Sequence, residues 1–144
     1  MRWTFAALLL MFLSTADAAP HRVGVASIGT DRIMLDERIR FEFDSDAIRR
    51  DSTAALRDVA RLLREHPEIV RIEIRGHTDS QGPGDYNLQL STERAQEVAR
   101  FLTQNGVSPR RVSARGFGES RPLVRGSSER AHAANRRVEF IVIR

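Results

Sequence analysis

Two side chains of opposite charge flank a loop in the middle of the chain. Asp79 closes the run Gly76-His77-Thr78-Asp79, and Arg94 lies in Ser91-Thr92-Glu93-Arg94-Ala95; residues 79–85 between them are rich in Gly, Pro and Asp. A fixed carboxylate beside a fixed guanidinium is complementary to an amino acid head group. The guanidinium can hold a ligand carboxylate bidentately while the carboxylate accepts hydrogen bonds from a ligand ammonium. The same two residues could instead pair with each other and close the loop, an exposed ion pair worth about 0–1 kcal/mol. Their spacing leaves both readings open. Ser91 is a good helix N-cap residue, which would put Arg94 in a first turn. There its charge opposes the positive end of the helix dipole, and recruiting an anion relieves that conflict.

Other reactive residue types fall short of a catalytic set. His77 and Asp79 lie two apart, but one imidazole and one carboxylate do not complete a metal shell, and His21, His66 and His132 add no matching spacing. His77 is expected to support its turn. Ser91 has neither a base nor an oxyanion site near it in the pattern, so capping is its expected role. Glu119 reads as a structural carboxylate. Asp44 can bind a ligand or cap its own loop, and the two readings stay equal.

The elements that must position these groups follow from hydrophobic period. Residues 38–43 alternate, placing Ile39, Phe41 and Phe43 on one face of a strand, with Ile33 and Leu35 extending or preceding it. Residues 44–46 break the alternation. From about Ser52 to Glu65, Leu56, Val59 and Leu63 recur at helical spacing, flanked by Ala55, Ala60 and Leu62, until Pro67 stops the helix at His66. Val70, Ile72 and Ile74 alternate with charged residues as a second strand. A second helix is expected from Ser91, with Ala95, Val98 and Leu102 inward and Gly106 at its end. Residues 112–118 form a third strand, and residues 137–143, β-branched and apolar, a fourth with both faces largely covered. The order βαβαββ predicts an α+β two-layer sandwich, a mixed four-stranded sheet with helices on one face.

The N-terminus carries an address. Arg2 is followed by an apolar run from Phe5 to Leu13 and by Ala16-Asp17-Ala18, the three parts of an export signal, with cleavage expected after Ala18. That run is well short of the roughly 20 apolar residues of a membrane-spanning helix. The chain has no Cys, so the fold must be held by packing, and no lipid anchor is expected. The organisation expected is a signal over residues 1–18, an extended lead-in over residues 19–31 and one domain over residues 32–144. The net charge of +4 is not a nucleic-acid signature. All 23 basic residues are Arg, 19 acidic residues are interspersed, and one Trp and one Tyr offer no stacking surface.

The ordered motifs carry a resemblance. Gly76-His77-Thr78-Asp79, Asn87, Leu90-Ser91 with Arg94-Ala95, Gly106-Val107, Gly116-Phe117-Gly118-Glu119 with Pro122, and Asn135-Arg136-Arg137-Val138 resemble the OmpA C-terminal domain family. That family is shared with peptidoglycan-associated lipoproteins and flagellar stator proteins of the MotB type. The likeness runs from about Ile33 to Ile143. It implies non-covalent, non-catalytic binding of peptidoglycan through the diaminopimelate of the stem peptide, in the periplasm of a Gram-negative-type envelope, without a cofactor. By the same resemblance Asp79 meets the ligand ammonium, Arg94 its carboxylate, and Asn87, Asp44 and Arg136 line the pocket. One departure bears on Arg136: His132 stands where the family often has Arg. A second expectation, from a different class, is an envelope adaptor whose lead-in docks a protein partner by adding a strand to a sheet edge. A wall hydrolase would need a catalytic set that the sequence does not display.

Overall fold

The structure is a computed structural model that describes residues 26–143. The export signal expected over residues 1–18 and the lead-in up to residue 25 lie outside the described residues. One sheet runs in the order β1-β2-β5-β3-β4, built from β1 (Ser27–Ile28), β2 (Arg32–Met34), β3 (Arg71–His77), β4 (Val112–Gly116) and β5 (Arg137–Ile143). β3 and β4 are parallel and joined through a helix, while the other neighbours are antiparallel, so the sheet is mixed. It has five strands rather than the expected four. The strand expected over residues 38–43 is not among them; β2, around Ile33, and β1, whose residues Ser27 and Ile28 fall in the segment expected to be an extended lead-in, complete the five.

Helices α1 (Thr53–Glu65) and α2 (Gly84–Gln104) supply the second layer. Their inner stripes are the ones the period predicts: Leu56, Val59 and Leu63 on α1, and Ala95, Val98 and Leu102 on α2, are fully buried against Ile72, Ile74 and Phe140 of the sheet. Alternate residues of β3, Arg71, Glu73 and Arg75, take the opposite face. On the chain entering β3, Ile69 is buried and Val70 exposed, so the inward alternation starts at Ile72. α2 ends in a Schellman arrangement: Gly106 has φ +90° and its N–H bonds Thr103, while the Val107 N–H reaches Leu102. Arg111 closes the other layer boundary by donating to the carbonyls of Leu63, His66 and Ile69, the exposed carbonyl end of α1 and the turn after it.

Three expectations about local structure are corrected. Residues 38–43 do not join the sheet. They fold back as a small hairpin, in which Phe41 bridges Ile48, Glu42 N–H bonds Ala47 and Arg49 N–H bonds Arg40. The alternation was real only in part, since Ile39 is buried, Phe41 half-buried and Phe43, at the tip, 99% exposed. The second correction is that α2 starts at Gly84, after Pro83 in extended geometry and with Asp85 in its first turn. Ser91 therefore lies inside the helix, fully buried, where its hydroxyl donates to the Leu88 carbonyl and accepts from the Gly118 N–H. A third, short helix, α3 (Glu129–Asn135), capped by the Ser128 hydroxyl, occupies the stretch read as a loop.

Candidate functional site

α2 lies unusually close to the sheet, and two glycines permit it. Gly76 of β3 and Gly116 of β4 are register partners. A Cβ on Gly76 would collide with the Ser91 carbonyl, and one on Gly116 with the backbone N and hydroxyl of Thr92. Their absence makes a notch that seats the Ser91-Thr92 turn. Beyond the notch the chain is tied again: Thr78 N–H bonds the Gly118 carbonyl at 2.9 Å, and Gly118 has φ +53°. The residue that follows, Asp79, is thereby fixed just past the end of β3.

Asp79 is 8% exposed. One carboxylate oxygen accepts from the Gln81 N–H at 2.9 Å, and the other accepts from Arg136 Nη1 at 2.8 Å. This pairing follows from sheet register. His77, the last residue of β3, faces Arg137, the first of β5, so the chain leaving one strand passes the chain entering the other. Arg136 also holds Glu129 at 2.6 Å. The intramolecular partner of Asp79 is thus Arg136 and not Arg94.

Asn87 and Arg94 are seven residues apart on α2, two turns along one face. Asn87 is buried and donates from its amide to the Gln81 carbonyl at 2.9 Å, holding the loop over the helix start. Arg94 Nε donates to the Ser45 carbonyl at 2.9 Å, and its guanidinium sits 5.0 Å over the Phe41 ring. Arg94 therefore fastens the hairpin to α2. Among the described residues no carboxylate lies within ion-pair distance of it. Burial, and to a smaller degree the charge of Arg136, pulls its pKa down, while Tyr86 and Asp44 act in the opposite sense. With α2 beginning at Gly84, Arg94 is nowhere near the helix start, and the expected conflict with the helix dipole does not exist.

Asp44 stands in the hairpin loop with φ +51° and accepts a hydrogen bond from the Tyr86 hydroxyl. All five residues singled out from sequence, Asp44, Asp79, Asn87, Arg94 and Arg136, line one cleft of about 600 Å³. Tyr86, Thr78 and Phe41 line it too and were not singled out. Tyr86 had a signal, the chain's sole Tyr set four residues before Leu90 on what proves to be the same helix face. Thr78 and Phe41 carried none beyond their neighbours.

The remaining candidates have structural surroundings. His77 is buried, stacks on Phe117 with ring centroids 5.3 Å apart, and contacts Glu139 at 2.9 Å through Nε2. Burial and then Arg137 push its pKa down, with Glu139 opposing them. His132 is buried on α3, and its carbonyl accepts the Arg136 N–H, so the departure from Arg at this position leaves Arg136 within reach of Asp79.

A cleft with a buried carboxylate and a guanidinium that has no anionic partner among the described residues can hold a zwitterion. The sequence and the fold are similar to those of known proteins. Residues 40–136 match the OmpA family. The outer membrane porin F of Pseudomonas fluorescens is 40% identical over 111 residues, 77% of this chain and 33% of its own. The peptidoglycan-associated lipoprotein of Legionella pneumophila is 38% identical over 101 residues, 70% of this chain and 57% of its own. The crystal structure of the peptidoglycan-associated lipoprotein from Burkholderia pseudomallei has a TM-score of 0.66 at 35% identity, covering 73% of this chain and 89% of that one. The chain thus spans a third of the porin and less than two thirds of the Legionella lipoprotein.

Proposed function

The chain belongs to the OmpA family, and from that premise we propose that it is a non-catalytic module that binds peptidoglycan reversibly in the periplasm. In this reading the signal over residues 1–18 delivers the domain to its ligand. The cleft takes the diaminopimelate of the stem peptide, whose side chain ends in an ammonium and a carboxylate on one carbon. Asp79 accepts from the ammonium and Arg94 donates to the carboxylate. Asn87, Asp44 and Arg136 frame the head group.

The observation that carries the proposal is the state of Arg94. It is half-buried, bonded among the described residues only through Nε to a backbone carbonyl, and set in the same cleft as a buried carboxylate. A half-buried guanidinium without an anion is an unfavourable arrangement that a ligand carboxylate relieves. Peptidoglycan also appears in the name of the Legionella and Burkholderia relatives.

Sedimentation with purified diaminopimelate-containing sacculi tests it. Asp79→Ala and Arg94→Ala each remove charged hydrogen bonds worth about 1.5–3 kcal/mol, so retention should weaken roughly ten- to hundredfold in affinity. Equal retention of the wild type and both variants would sink the assigned site. Release of soluble muropeptides would sink the non-catalytic reading.

A further inference from the structure

Next to the cleft lies a second chamber of about 370 Å³ whose polar lining is cationic throughout. Arg38, Arg40, Arg49, Arg94 and Arg136 surround it, with Ile39, Phe41 and Ala133, and among the described residues no acidic one lines it. It shares Phe41, Arg94 and Arg136 with the cleft, so the two hollows adjoin at these side chains. The carboxylates that meet these arginines approach from outside the chamber. Asp51 lies 3.8 Å from Arg40 and 3.4 Å from Arg49, and Glu129 and Asp79 take Arg136. Arg38 donates to the Ala133 carbonyl, and among the described residues neither it nor Arg94 has a carboxylate in ion-pair range. Five guanidinium groups are thus met by three carboxylates, two of them on exposed side chains. Like charges gathered around one hollow repel each other, and an anion entering it removes that cost.

We propose that this arginine-walled chamber is a second anion subsite that receives a free carboxylate of the stem-peptide residue adjoining the diamino acid. The inference rests on the peptidoglycan reading above and names a further part of the ligand. Two flanking residues carry such a group. The glutamyl residue is linked through its side chain and keeps its α-carboxylate, while a following alanine contributes the chain-terminal carboxylate. Either places an anion one residue from the head group held by Asp79 and Arg94. Planar guanidinium forks suit a carboxylate at that position.

Calorimetric titration of the whole domain with defined ligands tests this. The ligands are free diaminopimelate, the tripeptide ending in diaminopimelate, the same tripeptide with its glutamyl α-carboxylate as the amide, and the tetrapeptides ending in alanine or alaninamide. The expected result is about tenfold weaker binding on amidation of whichever flanking carboxylate occupies the chamber. In Arg38→Gln that discrimination should shrink severalfold, while affinity for free diaminopimelate is unchanged. Arg38 is exposed, and equal thermal midpoints confirm that the variant is folded; the amide comparison needs no variant. If the tripeptide binds and neither amidation alters affinity, or Arg38→Gln discriminates as the wild type does, the subsite is wrong and the cleft stands. If no diaminopimelate ligand binds the wild type, the cleft assignment falls and takes the subsite with it.

Discussion

The two walls of the cleft are held by different physics. The wall carrying Asp79 and Asn87 is backbone packed on backbone: the Gly76 and Gly116 notch seats α2, Ser91 holds the Gly118 N–H, and Thr78 bonds Gly118 in turn. The facing wall, the hairpin over residues 38–49, has a short hydrogen-bonded ladder and is tied across the cleft by two side chains, Arg94 to Ser45 and Tyr86 to Asp44. The first wall has no slack, because close-packed atoms cannot move without collision. The second is anchored in the core at Ile39, while its tip is held across the cleft by these two polar contacts. A site built this way sets a close-packed wall that carries the anion against a wall tied by side chains.

That contrast can be broken most severely at the notch. Gly76→Ala places a methyl against the Ser91 carbonyl, a backbone atom with nowhere to go, and should destabilise the domain by about 3 kcal/mol. Urea unfolding checks it, and a loss below about 1 kcal/mol would mean that α2 is free to lift. Ser91→Ala keeps the packing but leaves the buried Gly118 N–H without its acceptor, for an expected loss of about 1–3 kcal/mol. Exchange protection at Thr78 and Gly118 should fall with it.

Acid should also strike the fixed wall first. The buried His77 imidazole has its pKa lowered below the ordinary 6.5, chiefly by burial. The unfolded chain therefore takes up the proton at a higher pH than the folded one. Stability due to neutral His77 is complete above that ordinary value and is lost as pH falls toward the lower folded value. The thermal midpoint should drop between pH 7.5 and pH 5, and His77→Gln should flatten the drop; an unchanged slope in the variant assigns the acid sensitivity elsewhere. At the hairpin wall the smallest effect is expected. Tyr86→Phe removes the exposed tie to Asp44 and should leave the midpoint within error, while amide exchange quickens at residues 42–46. Equal loosening of Thr78 would show that the walls are not independent.

Legibility in sequence follows the same division. The core stripes of both helices, and the strands around Ile72 and Phe140, obey strong local periods and were readable without any partner in view. The start of α2 was not, because Ser91 has the residue type of a cap, and only its burial against Gly118 reveals another use. Residues 38–43 alternate like a strand, but β2 takes the place beside β5 and they pair with residues 47–49 instead. α3 is a single short helix whose one cue was the Ser128 cap. Asp79 and Arg94 stand out by charge and position, and Asn87, Asp44 and Arg136 come through the resemblance, but who pairs with whom depends on the register of His77 against Arg137, a long-range fact. The arginine chamber was hidden by composition: where every basic residue is Arg, nothing local distinguishes those that lack a partner.

β3 has one more consequence. It lies between β5 and β4, bonded along its length on both sides, and Asp79 stands just beyond its end. A pull on a ligand held there, directed along the strand, loads both ladders in shear, so their hydrogen bonds resist together instead of unzipping singly. Tension between a ligand and this domain would meet the sheet in its mechanically toughest direction.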